Sequence, residues 1–176
     1  MRSRSLVASL VLLALFIALP GCYQSLGAGY ANRFGAIPEG HSLEVQYTVA
    51  VGAMNELELA APMAKLGLAT GDWGFRFTDV VGAMVVTEGV GRVFWRPGLA
   101  LVFGEERERQ AEDTRFYFGL GAEMDAGLLF EVGDGLFLEL GGRVGGDLGV
   151  TGRGTAAFAG AFLAIGFERG LIDFSR

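Results

Sequence analysis

Charged residues at alternate positions are the side chains best placed to do chemistry in this sequence. Between Thr114 and Val150, the carboxylates Glu123, Asp125, Glu131, Glu139 and Asp147 all fall at odd positions, and Arg143 falls among them. Paired carboxylates can act as general acid and base, or hold a cation. The competing reading is structural. Glu123, Asp125, Glu139, Arg143 and Asp147 would form one neutral charge network, helped by Arg76 or Arg92, because buried charge must be paired. The network is the preferred reading.

Other catalytic signals are weak. His41 is the only histidine. It adjoins Ser42 at a strand start, and neighbours in an extended chain point to opposite faces. A His–Ser dyad is therefore not expected, and His41 reads as a solvated loop residue. No G-x-S-x-G, P-loop, G-x-G-x-x-G or C-x-x-C is present. The segment Gly145–Gly149 only faintly resembles part of a calcium-binding nonapeptide repeat, which works only in tandem, and it occurs once. These residues predict no enzymatic activity, no metal and no cofactor. The formal net charge of −6 argues against nucleic acid as a partner, since that needs a basic footprint. The run Glu105–Asp113 reads as a solvated charged loop. A lesser alternative has Arg107 and Arg109 meeting lipopolysaccharide, with cations bridging Glu105, Glu106 and Glu108.

The element that positions the carboxylates is a long hairpin. From Phe116 to Val132, every second residue is apolar, and Leu136 to Val150 repeats the pattern. Strict alternation on two arms predicts paired antiparallel strands. A loop over Gly133-Asp134-Gly135 pairs Val132 with Leu136, and so on outwards. Asp125 then faces Arg143, with Glu123 diagonal to it. The second face carries Gly119, Gly121, Gly127, Gly141, Gly145 and Gly149 between the charges. Glycine weakens a water-facing strand, but it suits the lumen of a small barrel, whose bore side chains just fill. The Phe/Leu face then points outward, to lipid.

Similar alternation recurs along the chain. Strands are predicted over 42–53, 55–69, 73–87 with an irregularity near Asp79, 91–104 with a bulge or strand end at Pro97, and 155–169. Residues 24–35 are a first strand or a tether. Counting them gives about eight strands with both termini on one rim. Short connections near 54, 88–90 and 133–135 would share that rim. The fold class is all-β, a small antiparallel up-and-down barrel. Residues 42–170 are the barrel domain, and 22–41 an anchor, tether or first strand.

At the N-terminus, Arg2 and Arg4 precede an apolar run from Leu6 to Leu19. This is the pattern of a secretory leader. Residues Leu19-Pro20-Gly21-Cys22 resemble the lipobox of a bacterial lipoprotein signal, although Pro20 stands where a small residue is usual. That resemblance implies cleavage after Gly21 and acylation of Cys22, the only cysteine. Loss of Arg2 and Arg4 with residues 1–21 would take the net charge from −6 to −8. Tyr23 follows the cysteine where an aspartate would imply retention in the inner membrane, so the implied address is the outer membrane.

The rest of the chain resembles small outer-membrane β-barrel proteins in pattern. The resemblance implies a non-enzymatic, lipid-anchored outer-membrane barrel with a structural or envelope-associated role. Membrane lipid is then its partner, and no protein partner is indicated. The alternative is a lipid-anchored barrel on the periplasmic face of the outer membrane, with the Phe/Leu face turned inward around an apolar ligand.

Overall fold

The computed structural model describes residues 23–35, 40–51, 60–87, 91–107, 114–150 and 155–168. Residues 1–22, including the leader and Cys22, lie outside them. Eight strands follow in order: β1 (Tyr23–Gly35), β2 (Gly40–Ala50), β3 (Ala61–Gly71), β4 (Gly74–Val86), β5 (Arg92–Arg107), β6 (Thr114–Gly133), β7 (Leu136–Gly149) and β8 (Thr155–Glu168). Each pairs antiparallel with its sequence neighbours, and β1 pairs with β8 to close the barrel. Residues 23–35 are thus the first strand and not a tether.

Register fixes the barrel's shape. Paired residues lead round the wall from Leu120 through Leu101, Asp79, Leu66, Tyr47, Leu26, Ile165 and Leu138 to Phe130. One circuit therefore climbs ten residues along β6, from 120 to 130. Ten residues of rise over eight strand spacings tilt the strands by about 40° to the barrel axis.

Alternation decides what faces where. Leu120 is 49% exposed and Leu140 53%, whereas Asp125 and Glu139 are fully buried. The Phe/Leu face is the outer surface, and the charges and glycines line the bore. The inverted barrel, with that face around an apolar ligand, is not the structure that forms.

The glycines of the bore have a steric reason. A Cβ on Gly141 would lie 2.6 Å from Phe162 Cζ, and one on Gly145 would lie 2.4 Å from Phe158 Cζ. Each aromatic ring occupies the space its cross-strand glycine leaves. Gly142 differs, because it faces outward and a Cβ there would meet only the Gly160 carbonyl at 3.6 Å.

Several expectations need correction. The pairing expected from the 133–135 loop holds from Gly119–Gly149 to Glu131–Phe137, but Leu136 pairs with Gly133 and not with Val132. Gly135, at φ 69°, lets the chain reverse over Asp134-Gly135, and Val132 becomes a bulge. β4 has no irregularity near Asp79, since its register against β3 is unbroken from Gly71–Gly74 to Ala61–Met84. Pro97 marks neither a bulge nor a strand end. It lies within β5, where the β4 ladder lapses between Gly82–Gly98 and Val85–Trp95 and resumes in the same register. The strand expected over 55–69 begins at Ala61, because Ala60 has φ 69° and Pro62 sits beside the strand start. The β2–β3 connection thus spans 51–60, so the connections at the rim of the chain termini are not all short. Glu105, Glu106 and Arg107 extend β5 and are not loop residues, while 108–113 lie outside the described residues.

Gly141→Val should destabilise the barrel by at least about 1–3 kcal/mol through overpacking against Phe162. Gly142→Val should stay within about 0.5 kcal/mol of the parent. Urea midpoints of the folded variants check both.

Candidate functional site

Alternation turns a set of distant charged residues into one column. Five buried bases, Arg33, Lys65, Arg76, Arg96 and Arg143, share the bore with five buried acids, Glu44, Glu123, Asp125, Glu139 and Asp147. Pairing matters, because an unpaired charge in a medium of low polarity is expensive to bury.

Asp125 on β6 is the hub. Arg143 Nε on β7 donates to its Oδ1 at 2.8 Å, and Lys65 Nζ on β3 donates to its Oδ2 at 2.9 Å. Arg96 Nη2 on β5 stands 3.6 Å from Oδ2. Glu123, two residues earlier on β6, pairs with Lys65 and lies 3.0 Å from Arg143 Nε. Arg143 Nη1 reaches across the bore to Glu44 on β2 at 2.5 Å.

From this centre the network runs toward both rims. Toward the Asp72–Trp73 turn, Arg76 lies 3.4 Å from Glu44 and 3.8 Å from Asp147. Arg33 then pairs with Glu106 at 2.6 Å and lies over the Trp73 ring at 4.5 Å. Toward the rim of the termini, Arg96 grips Glu139 with two bonds of 2.9 and 3.3 Å, and the Tyr23 hydroxyl donates to the same carboxylate. Aromatic rings fill the space between ions. Arg96 lies 5.3 Å and Arg143 5.4 Å from the Phe162 centroid, and Arg76 lies 4.1 Å from that of Phe158.

Glu123, Asp125, Glu139, Arg143 and Asp147 are therefore all brought inside. The expected Asp125–Arg143 pair and the Glu123 diagonal are both present. Glu131 shares their alternation but lies exposed near the Asp134–Gly135 turn. Arg76 joins the network, whereas Arg92 sits 6.0 Å from the Phe137 ring near the rim of the termini. Arg33, Glu44, Lys65, Arg96, Glu106 and Tyr23 are additions from structure. Lys65 lay in a stretch whose strand start Pro62 obscured, and Arg96 adjoins Pro97. Alternation was their one available signal.

The geometry favours a structural role over acid–base chemistry. Each inward carboxylate of the central group is engaged by cations from other strands. A gap of about 10 Å³ opens between Glu44, Lys65, Arg76, Glu123 and Arg143. That is about the space one water needs. His41 is exposed, with Nδ1 2.5 Å from Asn32 Oδ1 and its ring stacked on Tyr30. Ser42 is buried and donates to the Ala31 carbonyl, so the two neighbours do face opposite ways. Among the described residues, no group of three or more His, Cys, Asp or Glu side chains is placed to hold a metal.

Arg143→Met should cost about 3–5 kcal/mol, because it leaves Asp125 and Glu44 short of a buried partner. Adding Asp125→Leu should cost less than the sum of the two single changes, with a coupling of about 1–3 kcal/mol. A double-mutant cycle from urea unfolding measures it.

No family model and no curated protein matches the sequence. Solved structures match the fold. Neisserial surface protein A superposes with a TM-score of 0.69 at 9% identity, covering 84% of this chain and 96% of that one. The N-terminal β-barrel domain of OprF from Pseudomonas aeruginosa superposes with a TM-score of 0.55 at 14% identity, covering 84% and 98%. This chain has the fold of these eight-stranded antiparallel barrels.

Proposed function

We propose that the chain is a lipid-anchored, non-enzymatic β-barrel of the outer membrane of a Gram-negative bacterium, with a structural or envelope-associated role. The observation that carries this reading is the sorting of the wall, with charge sealed inside and bulky apolar groups outside. Leu43, Val81, Leu99, Met124, Val144 and Leu163 are between 47 and 74% exposed on the outer face. Water would oppose so large an apolar surface. Hydrocarbon accepts it, and a closed barrel leaves no strand edge unpaired there.

Dimensions agree with that assignment. The shortest strands have 11 residues, and at a tilt near 40° they rise about 28 Å. The apolar band of such barrels is about 25 Å tall, with aromatic girdles at both edges. Exposed Phe34, Phe75 and Phe103 lie toward the Asp72–Trp73 rim, and Trp95 and Phe130 toward the rim of the termini. The solved barrels of like fold support the same reading.

The anchor is the second part of the proposal. Its support is the lipobox at Leu19–Cys22 and the position of the first strand. Tyr23 already pairs with Ala50 and Glu168, so a lipid on Cys22 would enter the bilayer beside the wall with no tether between. That attachment orients the rim of the termini toward the periplasm.

Two measurements test the parts separately. In native membranes, Leu120→Cys should resist a membrane-impermeant thiol reagent while Asp134→Cys, at the turn, reacts. Aqueous labelling at Leu120 would overturn the membrane assignment. A fatty-acid label on the full chain should vanish in Cys22→Ala, with the barrel still shifting in gel mobility on heating. Persistence of the label would remove the anchor from the proposal.

A further inference from the structure

One glycine of the bore has no ring in its place. Gly67 on β3 faces inward, in the same set as buried Lys65 and Ala69. A Cβ there would meet only Thr78 Cβ, at 3.8 Å, an ordinary contact. Beside Gly141 and Gly145 the same space is taken by Phe162 and Phe158. Beside Gly67 no side chain fills it. It belongs to the gap of about 10 Å³ that Glu44, Lys65, Arg76 and Glu123 also line.

The walls of this gap have hydrogen-bonding capacity to spare. Arg76 is 4% exposed, and its buried Nε donates to no protein group. Lys65, 2% exposed, directs two of its three N–H groups at Glu123 and Asp125 and has a third to give. Glu44 and Glu123 are carboxylates, and each can accept about four hydrogen bonds. Buried donors without a partner are costly, so such a set calls for an occupant.

We infer that the gap is the binding site of one resident water molecule, held by Arg76, Lys65, Glu44 and Glu123, with Gly67 the residue that leaves room for it. Size admits a single water-sized occupant. Charge then selects among the small candidates. A cation would stand against Lys65, Arg76 and Arg143, and an anion against Glu44 and Glu123. Water accepts from the two bases and donates to the two acids, so a neutral dipole suits both sets. It also adds a second link between parts of the network that Arg143 bridges, with Glu44 and Arg76 on one side and Lys65 and Glu123 on the other. The site lies inside the bore, so it does not depend on what surrounds the wall.

Two substitutions of the full chain at one Cβ test the occupant. Gly67→Ala adds a methyl group without a clash. In a dry gap it would add contact and relieve glycine's entropy cost, so the urea midpoint would rise. With water in the gap, the methyl displaces it and leaves buried donors unmet. The unfolding constant should then increase at least about fivefold. Gly67→Ser sets a hydroxyl on the same carbon, replaces the water's bonds and should recover most of that loss. A Gly67→Ala protein as stable as the parent, or a Gly67→Ser protein no more stable than Gly67→Ala, would overturn the inference. Nuclear magnetic resonance on the unsubstituted chain decides the matter even should Gly67→Ala fail to fold. Magnetisation should pass from long-lived water to the non-exchanging Gly67 Hα protons, and its failure to do so would exclude a resident water.

Discussion

The pairing of Asp125 with cations from three other strands is the constraint on which the interior depends. Lys65, Arg96 and Arg143 come from β3, β5 and β7 and converge on this one β6 carboxylate. The gain from such a buried pair barely exceeds the cost of drying its charges. Its larger effect is on arrangement. A sheet with one apolar face and one small, polar face can in principle curl either way. Ions that find partners only across a narrow bore decide the direction. They also decide the register, because a slip of one residue would move every charge on a strand to the wall.

Around that hub the bore repeats one unit of packing. A glycine leaves a space, an aromatic ring from another strand enters it, and a guanidinium lies over the ring. Gly141, Phe162 and Arg143 form one such stack, and Gly145, Phe158 and Arg76 another. A third joins Gly104, Tyr117 and Arg33, with the ring 2.6 Å from a Cβ on the glycine and 6.0 Å from the guanidinium. The ring keeps water from the ion pair, which strengthens the pair. The ion in turn finds the face of a π system, a favourable place for a cation. Glycine is needed because the bore of eight strands has no room for both a ring and an opposing side chain.

Much of this was legible in the sequence because alternation is a local property. The two faces of the hairpin, the Asp125–Arg143 pair and the strand count can all be read without tertiary knowledge. What could not be read depends on closure. Lys65 meets Glu123 across 58 positions of sequence, and only the tilt of the strands brings them level. Prolines also misled. Pro62 blurred where β3 begins, and Pro97 suggested a break that the β6 ladder bridges by pairing it with Met124. Asp79 misled for the opposite reason. A charge on the apolar face looks like a change of register, yet the register is constant and the charge lies outside. The length of the β2–β3 connection was invisible because an alanine in left-handed conformation, Ala60, has no sequence signal.

A bore filled in this way limits where any activity can reside. Arg33, Glu106 and Trp73 close over the column near one rim, and Glu139, Tyr23 and Phe137 near the other. Lys65, Arg76, Arg96 and Arg143 spend their charge on the buried acids, and Arg33 spends its own on Glu106. Recognition must then use the wall or the rims, which are free of those obligations.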